Sequence, residues 1–199
     1  ADRLLLPGVG SFDAGMTSLH DFGLAEVLRH CAGSGVQILG ICLGMQLFMS
    51  ESYEFGRHEG LGLIPGSVVP LKPSKYHLPS LREHGHRTSK IPQVGWNRIY
   101  RSDTLTDSSG SYALKQSNRI KNPWSDTFLT GVSEGEYMYF VHSFCVEPDD
   151  PSVILAKTRY GSVEFCSTLS YKNIFACQFH PERSASQGMR IYKNIANKI

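Results

Sequence analysis

Residues 39–46, Leu39-Gly40-Ile41-Cys42-Leu43-Gly44-Met45-Gln46, decide how this chain reads. A lone cysteine stands between two glycines at the end of the apolar run "GVQILGI" (35–41). The form G-x-nucleophile-x-G marks a buried strand turning sharply into a helix, with the nucleophile at the apex. Small residues flank the apex because strand and helix backbones come close there. The apex also has a chemical consequence. It sets the sulfur near a helix N-terminus, which favours the thiolate, and it frees the Leu43 N–H to meet a developing oxyanion. Read alone, the pentapeptide fits a buried structural cysteine equally well.

Working outward, "DRLLLPGVGSF" (2–12) reads as a short buried strand that ends in a turn punctuated by Pro7, Gly8 and Gly10. The apolar spacing of Leu19, Phe22, Val27, Leu28 and Cys31 predicts one amphipathic helix over 13–32, weakened at Gly23. "LGMQLFMSES" (43–52) has the composition of a second helix. Strand, helix, strand, helix argues for a parallel sheet with crossover helices. The second half carries six strand-like runs, from "GLIPGSVVPL" to "NIFACQFHPE", and closes on a helix from about 185. The expected architecture is α/β, a mostly parallel central sheet flanked by helices with an additional antiparallel region. Residues 1–199 read as a single domain.

Composition narrows the function classes. The chain has 199 residues, 41% apolar, with a net charge of +2, which gives no electrostatic footprint for nucleic acid. No apolar run approaches the ~20 residues that span a bilayer. The five cysteines are odd in number and lack metal-ligand spacing, so a reducing cytoplasm is the expected setting. The segment 72–90 holds His77, His84 and His86 among basic residues and reads as a solvated loop rather than a metal or phosphate site. "TDSSGSY" (106–112) reads as a second exposed loop.

A thiolate needs a base. Phe179-His180-Pro181-Glu182 offers one at the end of an apolar strand, with Glu182 placed to orient the imidazole. Both groups would then meet at the C-terminal edge of one parallel sheet. Pro7-Gly8-Val9-Gly10 should reach the same edge and present a second backbone N–H.

These stretches, with "EGLGLIPG", "IPQVGWN" and "YFVHSF", resemble the class I (triad) glutamine amidotransferases. Among them the chain is most similar to the glutaminase subunits of imidazole glycerol phosphate synthase. The likeness extends over nearly the whole chain. It implies a flavodoxin-like fold and hydrolysis of L-glutamine through a Cys42 thioester. In that reaction His180 would act as base and then acid, and Glu182 as its orienter. It also implies an oxyanion hole from Val9 and Leu43, and substrate contacts from Gly10, Gln46, His142, Ser143 and Phe144. For His142 a packed strand histidine is the competing reading. No cofactor and no metal are implied.

The implied partner is a (β/α)₈-barrel cyclase that consumes the ammonia. Gln93, Val94, Gly95, Trp96, Asn97 and Arg183 would face it. The family normally has His where Gln93 stands and Lys where Arg183 stands. It also has a strand, a helix and a strand ahead of "PGVGSF", so the chain reads as N-terminally truncated relative to the family. Three other readings stay open: an ammonia source for amidation of a nucleotide-linked sugar in surface polysaccharide synthesis, a catalytically silent interaction module, and a general cysteine hydrolase.

Overall fold

A computed structural model describes residues 1–72, 90–103 and 124–197. The expected loops over 72–90 and 106–112 fall almost entirely outside these residues. In chain order the elements are β1 (Arg3–Gly8), α1 (Phe12–Asp21), α2 (Leu24–Gly33), β2 (Gln37–Cys42), α3 (Leu43–Leu47), β3 (Met49–Ser52), β4 (His58–Glu59) and β5 (Ile64–Pro70). There follow β6 (Gln93–Arg98), β7 (Tyr100–Arg101), β8 (Tyr137–His142), β9 (Phe144–Pro148), β10 (Ile154–Tyr160), β11 (Val163–Tyr171), β12 (Ile174–Cys177) and α4 (Ala185–Asn197). No helix among the described residues is long and apolar enough to cross a membrane.

The main sheet has the order β1-β2-β12-β11-β10-β7. Its first three strands are parallel, with Gly8 opposite Cys42 and Cys177 opposite Ile41. The parallel trio therefore ends on one edge, as the strand–helix alternation predicts. Beyond β12 every pairing in this sheet is antiparallel. A four-stranded sheet, β4-β3-β5-β9, and the hairpin-like pair β6-β8 complete the set. The antiparallel share is thus larger than the sequence suggests.

Alternation along the strands explains why the sheet is buried on both faces. Ile38, Ile174 and Ala176 pack into one core with Phe12, Leu28, Met45 and Phe48 from the helices. Leu39, Ile41, Phe175 and Cys177 face the other core, with Phe140, Phe179 and Ile191.

Two local expectations are corrected. The helix predicted over 13–32 is two helices, because Gly23 adopts φ 67° and donates its N–H to His20 O, which ends the first. Its apolar spacing runs through the break, so periodicity alone misses it. The stretch 43–52 is not one helix. Only Leu43–Leu47 is helical, and Met49–Ser52 pairs with β5 as a strand. Tertiary pairing overrides the helical composition of that segment.

Candidate active site

The elbow is built by close approach. Cys42 has φ 53° and ψ −107°, a conformation that costs a β-carbon-bearing residue of order 1–3 kcal/mol. The neighbours over-determine it. A Cβ on Gly44 would lie 1.8 Å from Leu6 O of β1, and one on Gly40 would lie 2.4 Å from the Phe48 ring and 2.9 Å from the Gly44 backbone. Only glycine lets α3 pass this near to β1 and β2.

Cys42 is buried, 6% exposed, so its sulfur is not simply a helix-end thiolate. Burial pushes its pKa up to about 11; the Leu43 backbone N–H and the Gln178 side chain pull the other way, and the Glu182 charge adds to the rise. The expected gain from the helix terminus is small here because α3 has only five residues. At rest the thiol points to Val141 O at 3.7 Å, while Gln178 Nε2 donates to Sγ at 3.6 Å.

His180 lies three residues past the end of β12, the strand beside β2. The ring is 4% exposed. Its Nδ1 is 2.7 Å from Glu182 Oε1, and its Nε2 is buried with no hydrogen-bond partner among the described residues. A carboxylate only accepts, so Nδ1 carries a proton, and in the neutral ring Nε2 holds the lone pair. Backbone and side-chain bonds hold the segment. His180 N donates to Tyr139 O at 2.8 Å, Ser184 Oγ donates to His180 O at 2.6 Å, and Tyr139 N donates to Ser184 Oγ at 3.0 Å. Tyr192 of α4 reaches Glu182 Oε2 at 3.4 Å.

A cavity of about 250 Å³ opens over the elbow. Val9, Gly10, Cys42 and Leu43 line it from the sheet edge, and Val141, His142, Ser143 and Phe144 from the junction of β8 and β9. Gln46 also lines it; its Nε2 donates to Phe144 O and to Gln178 Oε1, each at 3.1 Å. The volume lies below the ~300–1,000 Å³ of a drug-sized ligand site, which suits an amino acid. Every residue that the resemblance assigned to substrate or oxyanion therefore borders one space.

His142 is more buried than a simple substrate contact would be, at 6% exposed. Its Nδ1 donates to Phe144 O at 2.8 Å, and its Nε2 lies 3.1 Å from Gln93 Oε1. Burial is the main cause that lowers its pKa to about 4. A neutral ring with its proton on Nδ1 needs a donor at Nε2, so the Gln93 amide must turn its NH₂ toward the ring.

That pairing corrects the expectation for Gln93, which is 2% exposed and turned inward rather than presented to a partner. Asn97 also bonds inward, Nδ2 to Arg159 O at 2.8 Å. Val94 and Trp96 do stand out on the surface, 58% and 52% exposed, with Gly95 between them. Arg183 is exposed, its guanidinium stacked 4.2 Å above the Tyr139 ring.

Two site residues escape the sequence reading. Among the described residues Glu54 contributes the one carboxylate of the cavity wall, and its Oε2 accepts from Phe12 N at 2.5 Å. It follows the elbow by twelve residues, with no local pattern to mark it. Gln178 is fully buried and touches the sulfur. Its signal was its place two residues before His180, just past the end of β12.

The sequence model for glutamine amidotransferase class-I matches residues 1–199. The imidazole glycerol phosphate synthase subunit HisH of Chlorobaculum tepidum is 37% identical over 98% of this chain and 80% of its own length. The HisH subunit of Syntrophotalea carbinolica is 40% identical over 99% of this chain and 82% of its own. A solved glutamine amidotransferase structure superposes with a TM-score of 0.60 at 13% identity, covering 100% of this chain and 80% of that one, a likeness of fold alone. Cys42 ends β2, and His180 with Glu182 follows β12, the parallel strand beside it. By sequence, the chain belongs to the class-I glutamine amidotransferases.

Proposed function

We propose that this protein is the glutaminase subunit of an imidazole glycerol phosphate synthase, hydrolysing L-glutamine and passing ammonia to a barrel-shaped cyclase in histidine biosynthesis. The relatives named HisH support the assignment to that enzyme. The observation that carries the chemistry is His180 Nε2, buried without a partner among the described residues, with Nδ1 tied to Glu182, just past the strand beside the Cys42 elbow.

In this reading Nε2 takes the Cys42 proton and the sulfur attacks the side-chain amide carbon of glutamine. The resulting oxyanion is met by the N–H groups of Leu43 and Val9. His180 then returns the proton to the amide nitrogen. The C–N bond breaks, ammonia leaves and a glutamyl thioester remains. Water, deprotonated by His180, attacks the thioester and releases glutamate, restoring the thiol. Glu54 is the carboxylate suited to the substrate's α-ammonium group, and Gly10, Gln46, Ser143 and Phe144 border the rest of the substrate. Val94 and Trp96, exposed side by side on β6, form the apolar centre of the surface offered to the cyclase.

Glutamate release from L-glutamine, measured with and without a cyclase partner, tests this. Activity that Cys42→Ala abolishes and the partner stimulates is the expected result. Glutamate release that survives Cys42→Ala would overturn the mechanism, and failure to bind a cyclase barrel would overturn the pathway.

A further inference from the structure

The Gln178 side chain is fully buried beneath the elbow, and a chain of hydrogen bonds fixes which way its amide faces. The chain starts at a main-chain carbonyl. Phe144 O can only accept, so the Gln46 atom 3.1 Å away must be its NH₂ nitrogen. The same nitrogen lies 3.1 Å from the Gln178 amide, so the Gln178 atom facing it must be the oxygen. That leaves the Gln178 NH₂ facing Cys42 Sγ at 3.6 Å. A flipped Gln178 amide would put two NH₂ groups against each other and an oxygen against the sulfur.

We infer that Gln178 is a catalytic residue, whose amide N–H donates to the Cys42 sulfur and selects the thiolate, oriented by Gln46 and the Phe144 carbonyl. The inference rests on the reading of Cys42 as nucleophile and deepens it. When the S–H proton leaves for His180 Nε2, the sulfur keeps the electron pair and becomes a strong acceptor for two N–H groups, those of Gln178 and Leu43. When the S–C bond forms, that pair is shared with the acyl carbon and the bond to Gln178 weakens. When water breaks the S–C bond, the pair returns to sulfur and the bond is regained. Gln178 therefore assists the departure of sulfur in the second half-reaction as well as its attack in the first. The need is concrete, because burial opposes charge on this sulfur and the nearby Glu182 opposes it further.

Among the described residues, the titratable groups about the sulfur are Cys177 on β12, Glu182 beyond it with its bonded His180, and His142 on β8 and Glu54 on the wall of the same cavity. None of them changes in the variants that test the idea. Gln178→Met removes the donor at similar length, and Gln178→Leu removes it in a smaller, uncharged side chain. Iodoacetamide alkylation of Cys42 is followed against pH by mass spectrometry of the Cys42 peptide, on the full chain, alongside steady-state glutaminase kinetics. In both variants the alkylation profile should move up by about one pH unit or more, a tenfold loss of thiolate at a given pH. kcat should fall about tenfold or more, with KM changed less than about threefold. Should Gln178→Met not fold, Gln178→Leu decides by the same shift. A folded variant whose alkylation profile coincides with wild type would overturn the inference. Failure of the underlying reading has a different signature, glutamate release that persists in Cys42→Ala.

Discussion

His180 Nδ1 lies 2.7 Å from Glu182 Oε1, and His180 Nε2 on the opposite side of the ring is buried without a partner among the described residues. One contact thus sets the tautomer of the neutral ring, with the lone pair on Nε2. Under the proposed mechanism Glu182→Gln should lower kcat by about 10²-fold or more, since an amide can turn either its oxygen or its NH₂ to Nδ1 and carries no charge to stabilise the imidazolium. The Glu182 side chain is 47% exposed, so the melting temperature should hardly move. Parallel kinetics and thermal melts check both halves. A kcat within twofold of wild type would remove Glu182 from the mechanism.

The clearance at the elbow predicts a steric failure rather than a chemical one. Gly44→Ala puts a methyl 1.8 Å from Leu6 O, with backbone on both sides. The expected cost is about 3 kcal/mol or more, or roughly 10 °C in melting temperature. Calorimetry on the purified variant measures it. A melt unchanged from wild type would mean that β1 and α3 are not packed this closely.

His142 makes stability depend on pH. Burial lowers its pKa from 6.5 to about 4, so between those values the unfolded chain binds a proton that the fold excludes. Its contribution is fully present above pH ~6.5 and is lost as pH falls toward 4, to a limit of about 3 kcal/mol. His142→Gln should therefore be less acid-sensitive than wild type over that window. Urea midpoints at several pH values provide the test, and parallel curves would contradict it.

Glu54 predicts a binding defect. In Glu54→Gln an oxygen remains to accept from Phe12 N, so the start of α1 is preserved while the charge is lost. KM for glutamine should rise about 10- to 100-fold, the worth of a charge-assisted hydrogen bond, with kcat changed little. An unaltered KM would place the substrate's ammonium elsewhere.

Trp96 predicts an association defect. It is 52% exposed and packs edge-on against Tyr139, ring centroids 5.9 Å apart. Trp96→Ala should weaken binding to the cyclase by about 2 kcal/mol, some 30-fold in Kd, and leave the isolated subunit's own stability nearly unchanged. Titration calorimetry with the purified cyclase decides it. Equal affinities would move the interface off β6.

The parts of the site legible in the sequence were those with a local cause. Gly40 and Gly44 mark the elbow because the crowding they relieve is created by the residues immediately around them. His180 and Glu182 are two positions apart, and their contact follows from chain geometry at a strand end. The strands β2 and β12 declare themselves through short apolar runs, since both faces of that part of the sheet are buried.

Other features depended on chain segments far apart. Helical composition in 43–52 lost to β3, whose partner β5 begins at Ile64. Gln93 reads as a surface residue until β6 is paired with β8, which sets it opposite His142. Gln178 reads as one more polar residue until Gln46, 132 positions away, turns its amide toward the sulfur. Local sterics and alternation thus determined the elbow, the His180–Glu182 contact and the parallel trio. Only the tertiary structure decided which buried amides and carboxylates surround them, because hydrogen-bond direction is settled by partners that the chain order does not reveal.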